Sequence, residues 1–566
     1  MNDNEARLVE LMDRQWAYDL NEFPELGFAV GEPQPGATWT DLSADAIARR
    51  REQTRARLRA IEAIDTEGMN EEGRLNHALF LRASRIDAEG LQFPTHLLPI
   101  GQLNGPQQDV PLSLSDMSLH TVDDFECVIA RLAAVPTLVD HTIELMAEGL
   151  VSGVVPPKVT VAGAAAQIDE LMTADPLHSG LATAFTRFPP SIPQDEHNRL
   201  RAAAKSVLAD EVFPSFTLLR NYLIDSYISG CRQTIAIADL PDGADWYRWR
   251  IRQQTSTDLD PETIHQIGLD ELERIGAAMD AAIERAGFGS RREEFLHHVH
   301  HDPRFFAGSA QQLVDAYRAL CKRIDPELPR LFGTVPWLPY GVSPMPAHAE
   351  KTAPAAYYLP GSVEAGRPGF FLANTYQLDQ RPTWEMVPLA LHEAVPGHHL
   401  QFALAQQVGG LHPWRRNLNE TAYIEGWGLY AESLGHDIGL YDDPYDEFGA
   451  LVFEAWRAAR LVVDTGMHAL GWSRQQAIEF MADRTGKPGH DVEVEVDRYI
   501  GWPAQALAYT LGAIRLRDLR RLASDTLGTA FDLRTFHDEV LGHGPLPLDL
   551  LEAEVRRWLA GEASAQ

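Results

Sequence analysis

The sequence predicts a mainly α-helical protein with one small β-sheet. First, most of the 566 residues fall in segments where apolar side chains recur every three or four positions between charged ones, as in amphipathic helices. Second, strand-like segments are few, and the best of them lie close together. Third, the composition is ordinary for a globular chain that buries a large core, with 45% hydrophobic and 23% charged residues.

Helical periodicity is clearest in three segments: Asp45 to Ile64, Glu196 to Ser226 and Pro261 to Gly287. Pro214 is expected to kink or split the second segment, because proline has no backbone N–H to donate. The third segment has the best-defined start. Asp260 suits the N-cap position, and Pro261 suits the first helical position.

Strand candidates are few. The best is Gly369 to Asn374, an apolar run that follows Pro368 and ends in a polar turn. Tyr357 to Pro360 is expected to pair with it across a turn-rich stretch, which places a small sheet just before a histidine-rich segment. Val154 to Val161, interrupted by two prolines, is predicted to be extended.

A cluster of proline, glycine and aspartate at Asp239 to Asp245 marks a domain boundary. We therefore expect an N-terminal helical domain at residues 1–240. The C-terminal domain, residues 241–566, should be helical as well, and should carry the small sheet and the histidine-rich segment.

The chain is strongly acidic, with a formal net charge of -32. Nucleic acids and anionic membranes carry charge of the same sign, so neither is expected as a partner. The simplest role of this charge is solubility, and attraction of cationic ligands or metal ions is a second. No uncharged apolar run reaches the ~18 residues that a membrane span needs.

Cysteine usage and the N-terminus bear on the compartment. Three widely spaced cysteines without CxxC spacing argue against a disulfide framework and against a thiolate zinc site. The first residues are acidic and show no signal-peptide pattern. We expect a cytoplasmic protein.

The segment HEAVPGHH, which begins at His392, contains three histidines and Glu393. It is similar to HExxH, where two histidines one helical turn apart bind zinc and the glutamate activates a water. Here Pro396 occupies the place of the second histidine. In a straight helix, His398 would lie about 120° around the axis from His392 and His399 about 10 Å along it, so the helix must be distorted. A purely structural role for so many polar groups is the weaker alternative.

Pro396 and Gly397 provide that distortion. Pro396 has no N–H to give to the carbonyl of His392, and Gly397 adds backbone freedom. We predict a two-residue bulge that brings His398 beside His392 as the second ligand. His399 stays open as the alternative ligand, and otherwise as a residue that contacts the substrate.

The third ligand is expected on a following helix that contains Glu425 and Glu432, seven residues apart on one face. Glu425 is the preferred ligand, with Glu420 as its rival. Glu432 is a candidate to orient a ligating imidazole. Gly426 and Gly428 weaken the helix, but their small size would let it pack closely against the histidine segment.

Three runs carry a family resemblance: HEAVPGHHLQ, YIEGWGLYAE and RYIGWPAQALAYTLG. They resemble the bacterial family known as domain of unknown function 885, over nearly the whole chain. That family is itself similar, mainly at the metal site, to helical zinc peptidases such as thimet oligopeptidase and angiotensin-converting enzyme, although two extra residues separate the histidines here. The resemblance implies a two-lobed helical clam around a deep channel, with the sheet at the cleft edge.

Carried over residue by residue, the resemblance implies that Zn²⁺ is the cofactor. His392, His398 and Glu425 would be its ligands, and Glu393 would be the general base.

A zinc peptidase also needs a donor for the oxyanion that develops on the scissile carbonyl. Tyr499 is a candidate for that role, with Tyr509 and Gln505 nearby. Arg498 is a candidate to bind a substrate carboxylate. The alternative for each of them is a place in an aromatic core helix with a snorkelling arginine.

Two further segments complete the candidate residues. The strand Gly369 to Asn374 is expected to form the cleft edge, where an extended peptide adds through main-chain hydrogen bonds, so Phe371 and Ala373 are candidate substrate contacts. The cluster His297 to His301 has no HE pair, and we predict that it is the polar end of a helix.

The leading functional hypothesis is a zinc-dependent hydrolase that cleaves peptide bonds of short peptides, with Glu393 as the general base. One alternative is a zinc hydrolase of non-peptide amides or esters. Another is a catalytically silent peptide-binding protein of the same fold. Glu393 argues against the last, because a structural zinc site needs no base.

Overall fold

The computed structural model describes residues 2–32, 38–115, 117–346, 350, 354–364, 366–487 and 489–565. In these residues the protein is mainly helical and contains a three-stranded sheet, as the sequence predicts. The chain forms two compact units, Met1–Trp246 (unit 1) and Tyr247–Gln566 (unit 2). Among the described residues, no helix is long and apolar enough to cross a membrane.

Unit 1 consists of helices and connecting turns. They are α1 (Asp3–Glu22), α2 (Pro24–Val30), α3 (Ala44–Glu62), α4 (Glu71–Gly90), α5 (Pro106–Ser115), α6 (Val122–Ala133), α7 (Val135–Ser152), α8 (Lys158–Val161), α9 (Ala164–Leu171), α10 (Gln194–Val207), α11 (Phe213–Tyr222) and α12 (Ile228–Gly230), and α13 (Gly243–Thr255) runs from unit 1 into unit 2.

The predicted helices of unit 1 are present, with one change and one error. A π-helical segment, Leu208–Val212, precedes Pro214 and joins α10 to α11, so the chain continues without a sharp break. The wider turn accommodates a residue that cannot donate to the helical ladder. The extended stretch predicted at Val154 to Val161 is wrong in its second half, because Lys158–Val161 is a helical turn that starts directly after the prolines.

Unit 2 contains the remaining helices and the sheet. The helices are α14 (Pro261–Arg285), α15 (Arg292–His301), α16 (Ala310–Ile324), α17 (Leu328–Leu331), α18 (Met386–Glu393), α19 (His398–Gln407), α20 (Pro413–Arg416), α21 (Thr421–Ser433), α22 (Pro444–His468), α23 (Arg474–Thr485), α24 (Gly489–Gly501), α25 (Ala508–Leu527), α26 (Leu533–Leu541) and α27 (Leu548–Ala565). As predicted, Asp260 caps α14 by accepting a bond from the Thr263 N–H.

The sheet of unit 2 has the strand order β1 (Tyr340–Pro344), β3 (Gly369–Ala373), β2 (Ala356–Leu359). β2 is antiparallel to β3, which confirms the predicted pair, and β1 is parallel to β3.

Helix α22 lies in the core of unit 2 and is buried along most of its length. Gly268 of α14 lets the two helices approach closely, because a Cβ there would lie 2.8 Å from side-chain atoms of Leu461 and Val462. Helices α21 and α25 approach in the same way at Gly426 and Gly512, where an added Cβ would meet backbone atoms at 2.1–2.7 Å. These two pairs place the helices that frame the site.

Candidate metal centre

The histidine-rich segment does not form one bulged helix. Helix α18 ends at Glu393, residues 394–397 form a turn, and α19 begins at His398. The bulge predicted within one helix is therefore wrong in form, because a break at Pro396 separates two helices. The peptide bond between Val395 and Pro396 is cis.

Close packing fixes this turn. A Cβ at Gly397 would lie 1.9 Å from the carbonyl oxygen of His392, so no side chain fits there. The indole Nε1 of Trp427, from α21, donates a hydrogen bond of 2.9 Å to the carbonyl of Pro396. The turn is thus held from both sides by main chain and aromatic packing.

The structure brings His392, His398 and Glu425 together, and one potential ligand atom from each lies within 4.8 Å of the others. Oε2 of Glu425 is 3.7 Å from Nε2 of His392 and 3.5 Å from Nε2 of His398. Ligands about 2.0–2.1 Å from a tetrahedral ion are about 3.4 Å apart, so this spacing suits a metal better than it suits direct hydrogen bonds.

Glu432 orients His392 from the side away from this cluster. Its Oε1 accepts a hydrogen bond of 2.8 Å from Nδ1 of the imidazole. That bond leaves Nε2 of His392 as an acceptor for a metal, which is the usual arrangement of a ligating histidine with an outer carboxylate. Arg457 lies 3.5 Å from the same Glu432 oxygen.

The two glycines of α21 have different partners. A Cβ at Gly428 would lie 2.7–3.0 Å from three atoms of the His392 ring, so this glycine gives the imidazole its room, as predicted. Gly426 instead faces Gly512 of α25. Glu420, the rival third ligand, is the residue before α21 and does not belong to the His392 cluster.

Burial and close charges act together on the cluster. Burial opposes charge on His392, but the carboxylates of Glu425 and Glu432 raise its pKa to about 9. Burial likewise opposes ionisation of Glu425, yet His392 and His398 hold its pKa well below the usual value. The pKa of Glu393 is raised by burial, which the two histidines partly offset. Without an ion, the negative carboxylates attract positive charge to this point.

His399 lies away from the cluster. Its side chain is buried, its Nε2 donates to the carbonyl of Leu338 at 3.1 Å, and its Nδ1 accepts from the hydroxyl of Tyr358 at 2.9 Å. Burial lowers its pKa to about 4, which keeps the ring neutral. Both nitrogens are occupied by the sheet region, so this structure leaves neither free for substrate or metal.

Arg498 and Gln505 are committed to a network of charged and polar groups. The Arg498 guanidinium donates to Glu495 through two nitrogens and to Oε1 of Gln505 at 2.7 Å. The Arg498 donors are therefore bonded to acceptors of the protein itself. The sequence analysis predicted instead that Arg498 binds a substrate carboxylate.

The two candidate tyrosines differ. Tyr499 is fully buried, and its hydroxyl donates to Glu495 at 2.5 Å while it accepts from Nε of Arg460 at 2.9 Å. Tyr509 is only partly buried, and it is close enough to Glu425 for that carboxylate to raise its pKa, which burial has already raised. Tyr509 is thus the more exposed of the two tyrosines, and its side chain also interacts with Gln505.

The predicted cleft-edge strand is wrong in its place. β3 is the central strand, hydrogen-bonded to β1 on one side and β2 on the other, so it offers no free edge for a peptide. Phe371 and Ala373 are both fully buried. The sequence analysis missed strand β1. Its short sequence ends in proline and shows little alternation of apolar and polar residues.

Sequence reasoning missed the polar face of α22. Arg457, Arg460 and Asp464 follow one another at helical spacing, and each is at least nine-tenths buried. The available signal was a set of charged residues three and four apart within an otherwise apolar helix. The cluster His297 to His301, in contrast, is the polar end of α15, as predicted.

A family model identifies the family of this chain, and two solved structures share its fold. The model of the family described as "Bacterial protein of unknown function (DUF885)" matches residues 24–555. No curated protein matches the chain significantly. The crystal structure of the "putative lipoprotein" from Colwellia psychrerythraea is 26% identical in sequence, with a TM-score of 0.93, and the match covers 99% of this chain and 100% of that chain.

A second solved structure, "a putative lipoprotein of unknown function" from Shewanella oneidensis, is 13% identical. Its TM-score is 0.70, and the match covers 96% of this chain and 99% of that chain. At this identity the likeness shows a shared fold alone.

Proposed function

This chain belongs to the bacterial family of unknown function DUF885, and from the site that it carries we propose that it is a zinc-dependent hydrolase of short peptides. The observation that carries the proposal is the cluster of His392, His398 and Glu425 next to the buried Glu393. Two histidines and one glutamate form a donor set of catalytic zinc sites, which leave one position open for water or substrate.

The residues present fit such an ion. The distances of 3.7 and 3.5 Å from Oε2 of Glu425 to Nε2 of His392 and Nε2 of His398 suit tetrahedral coordination, and Glu432 fixes the His392 ring with Nε2 toward the cluster. A zinc ion held there supplies a Lewis acid that polarises a carbonyl and makes a water more acidic.

The roles of the protein groups follow from their places. Glu393, directly after His392 and buried, accepts the proton of the attacking water and passes it to the leaving amine. Tyr509 donates a hydrogen bond to the carbonyl oxygen as negative charge develops there. We prefer Tyr509 to Tyr499 for this role, because the Tyr499 proton is directed at Glu495.

The choice of short peptides as the substrate class rests on the reaction type and on the resemblance of the metal-site motif to those of helical zinc peptidases. A non-peptide amide or ester would be cleaved by the same groups, and a silent peptide-binding protein would keep the fold without turnover. The presence of Glu393 favours a hydrolase over the silent alternative.

Incubation of the zinc-loaded protein with a mixed library of short peptides, read by mass spectrometry, tests the activity. We expect cleavage products with the native chain. Glu393→Gln should keep about one zinc per chain by elemental analysis but lose about 10²–10⁴-fold in turnover, because the amide cannot accept the proton. Turnover at the native rate in that variant would remove Glu393 from the mechanism, and a native chain without bound zinc would refute the proposal.

The compartment needs its own proposal. The cytoplasmic location expected from the sequence has no support in the comparisons, since the Colwellia protein is named a "putative lipoprotein". By that likeness we propose a location outside the cytoplasm. Fractionation of the producing bacterium, followed by immunoblotting, checks it, and recovery with cytoplasmic marker proteins would restore the first expectation.

A further inference from the structure

Arg460 is a buried cation, and one nitrogen of its guanidinium makes no hydrogen bond to any described residue. Its side chain lies in α22 and is 6% exposed. Nε donates to the Tyr499 hydroxyl at 2.9 Å, and Nη2 donates to Oε2 of Glu495 at 3.1 Å. Nη1 is buried and has no hydrogen-bond partner within the part of the chain that the structure describes. A buried polar group without a partner destabilises the folded state, so this nitrogen needs another form of compensation.

The ring of Tyr509 provides it. Cζ of Arg460 lies 4.3 Å from the centroid of that ring, well within the distance for a cation–π contact. The negative face of an aromatic ring attracts a guanidinium that has no acceptor. The contact explains why Nη1 is buried there, and it fixes the ring face of Tyr509 against α22.

The guanidinium itself is held rigidly. Glu495 accepts from Arg460, from two nitrogens of Arg498 and from the Tyr499 hydroxyl. These donors hold the pKa of Glu495 well below its usual range, although burial opposes this. The ionised carboxylate of Glu495 and the hydroxyl of Tyr499 each accept a hydrogen bond from Arg460. The planar guanidinium of Arg460 is therefore held in one orientation.

We propose that Arg460 is a positioning residue, which holds the phenol ring of Tyr509 by its face so that the hydroxyl is directed at the reacting carbonyl. This inference rests on the proposed function, in which Tyr509 is the hydrogen-bond donor. The roles of Tyr499, Glu495 and Arg498 are then to hold Arg460.

A double-mutant cycle tests the kinetic part. Tyr509→Phe should lower kcat by about 100-fold, as loss of one oxyanion donor does. Arg460→Met should lower kcat by about 10-fold with KM within about threefold, because positioning affects the transition state more than ground-state binding. The double variant should be no slower than Tyr509→Phe alone. Arg460→Lys, which keeps a charge, should recover part of the loss. Independent, multiplicative losses would overturn the proposal.

A second measurement does not depend on activity. 3-Fluorotyrosine placed at position 509 reports the ring environment by ¹⁹F NMR. Arg460→Met should shift this resonance and broaden or split it, because the charge and the support of the ring are both lost. Arg460→Lys should shift it less, and it serves as the test if the methionine variant does not fold.

Arg474→Met is the matched control for the spectra. Arg474 also supports α24, through Asp497 at 2.6 and 3.0 Å, and no contact joins it to Tyr509 among the described residues. Its loss should leave the resonance in place. A fluorine resonance that Arg460→Met does not move, or that Arg474→Met moves equally, would overturn the positioning role. A native protein that hydrolyses no peptide would refute the proposed function alone, because the spectra still decide this contact.

Discussion

His398 and His399 are neighbours in the sequence, but their side chains contact different parts of unit 2. His398 lies with its ring centroid 4.7 Å from that of His392, and its Nε2 faces Glu425. His399 lies against Tyr358 and Leu338 of the sheet region. Adjacent residues at the start of a helix point about 100° apart, so the start of α19 at His398 determines which ring joins the cluster.

Replacing each histidine separately tests this division. His398→Ala should lose zinc affinity by more than the roughly 10–100-fold that loss of an outer partner causes, because a ligand is removed. His399→Ala should change zinc affinity by less than about tenfold and mainly reduce stability, since it removes two buried hydrogen bonds. Competition with a zinc chelator measures the first quantity and thermal unfolding the second. The reverse order of zinc affinities would move the ligand role to His399.

Single residues also mark the limit of sequence reasoning. The motif spacing pointed to His392 with His398 or His399, and to Glu425 or Glu420, and the fold brings His392, His398 and Glu425 together. It could not separate Tyr499 from Tyr509, because their difference depends on partners that are distant in sequence. Arg460 contacts both tyrosines, through a hydrogen bond to the Tyr499 hydroxyl and a cation–π contact with the Tyr509 ring.

Helix α21 depends on a glycine at its contact with the motif helix α18. Gly428→Ala should place a methyl group 2.7–3.0 Å from the His392 ring. Such overpacking costs about 1–3 kcal/mol and should displace the imidazole, so both stability and zinc affinity should fall. Urea unfolding and zinc titration measure the two effects.

Gly276→Ala is the matched control for that change. Gly276 also lies inside a helix, α14, but a Cβ there meets no atom within 4 Å. Alanine should stabilise this helix by up to about 1 kcal/mol, because it has the higher helix propensity. If the two substitutions had equal effects on zinc affinity, close packing at His392 would not be the reason for the glycine.

The sheet shows that the position of a strand within a sheet cannot be predicted from the local sequence pattern alone. The pairing of β2 with β3 followed from two apolar runs and a turn, and it is confirmed. The position of β3 within the sheet was decided by β1, whose residues Tyr340–Pro344 give little strand signal. A strand paired on both sides cannot accept a peptide, so this one missed strand altered the predicted substrate contacts.

The stability of the whole protein should depend on buried carboxyl groups. Burial raises the pKa of Asp464 to about 7, and partial burial raises the pKa values of Asp19 and Asp446 to about 6. The folded state therefore keeps protons that the unfolded state releases above about pH 4. The contribution of these carboxyl groups to stability should fall as pH rises through this window and level off above about pH 7.

Asp464→Asn tests the largest contribution. The carboxylate accepts hydrogen bonds from the Tyr247 hydroxyl and the Ala504 N–H, and asparagine keeps an acceptor but cannot ionise. Between pH 5 and pH 8 the native chain should lose about 3 kcal/mol more stability than the variant, at about 1.4 kcal/mol per unit. Urea unfolding of both chains at the two pH values, without added zinc, measures this difference. Parallel pH profiles would show that Asp464 is already ionised at pH 5.

The sequence by itself determined the helical class, the capped start of α14 and the strand pair, and it limited the candidate metal ligands to His392, His398 or His399, and Glu425 or Glu420. Each of these depends on periodicity, local turn chemistry or short motif spacing, which are readable along the chain. Only the tertiary structure decided that α18 and α19 are separate helices, that β3 is central, that His399 faces the sheet and that Arg460 contacts the ring of Tyr509. Each of these depends on contacts between segments distant in sequence, where packing and burial select one partner from many.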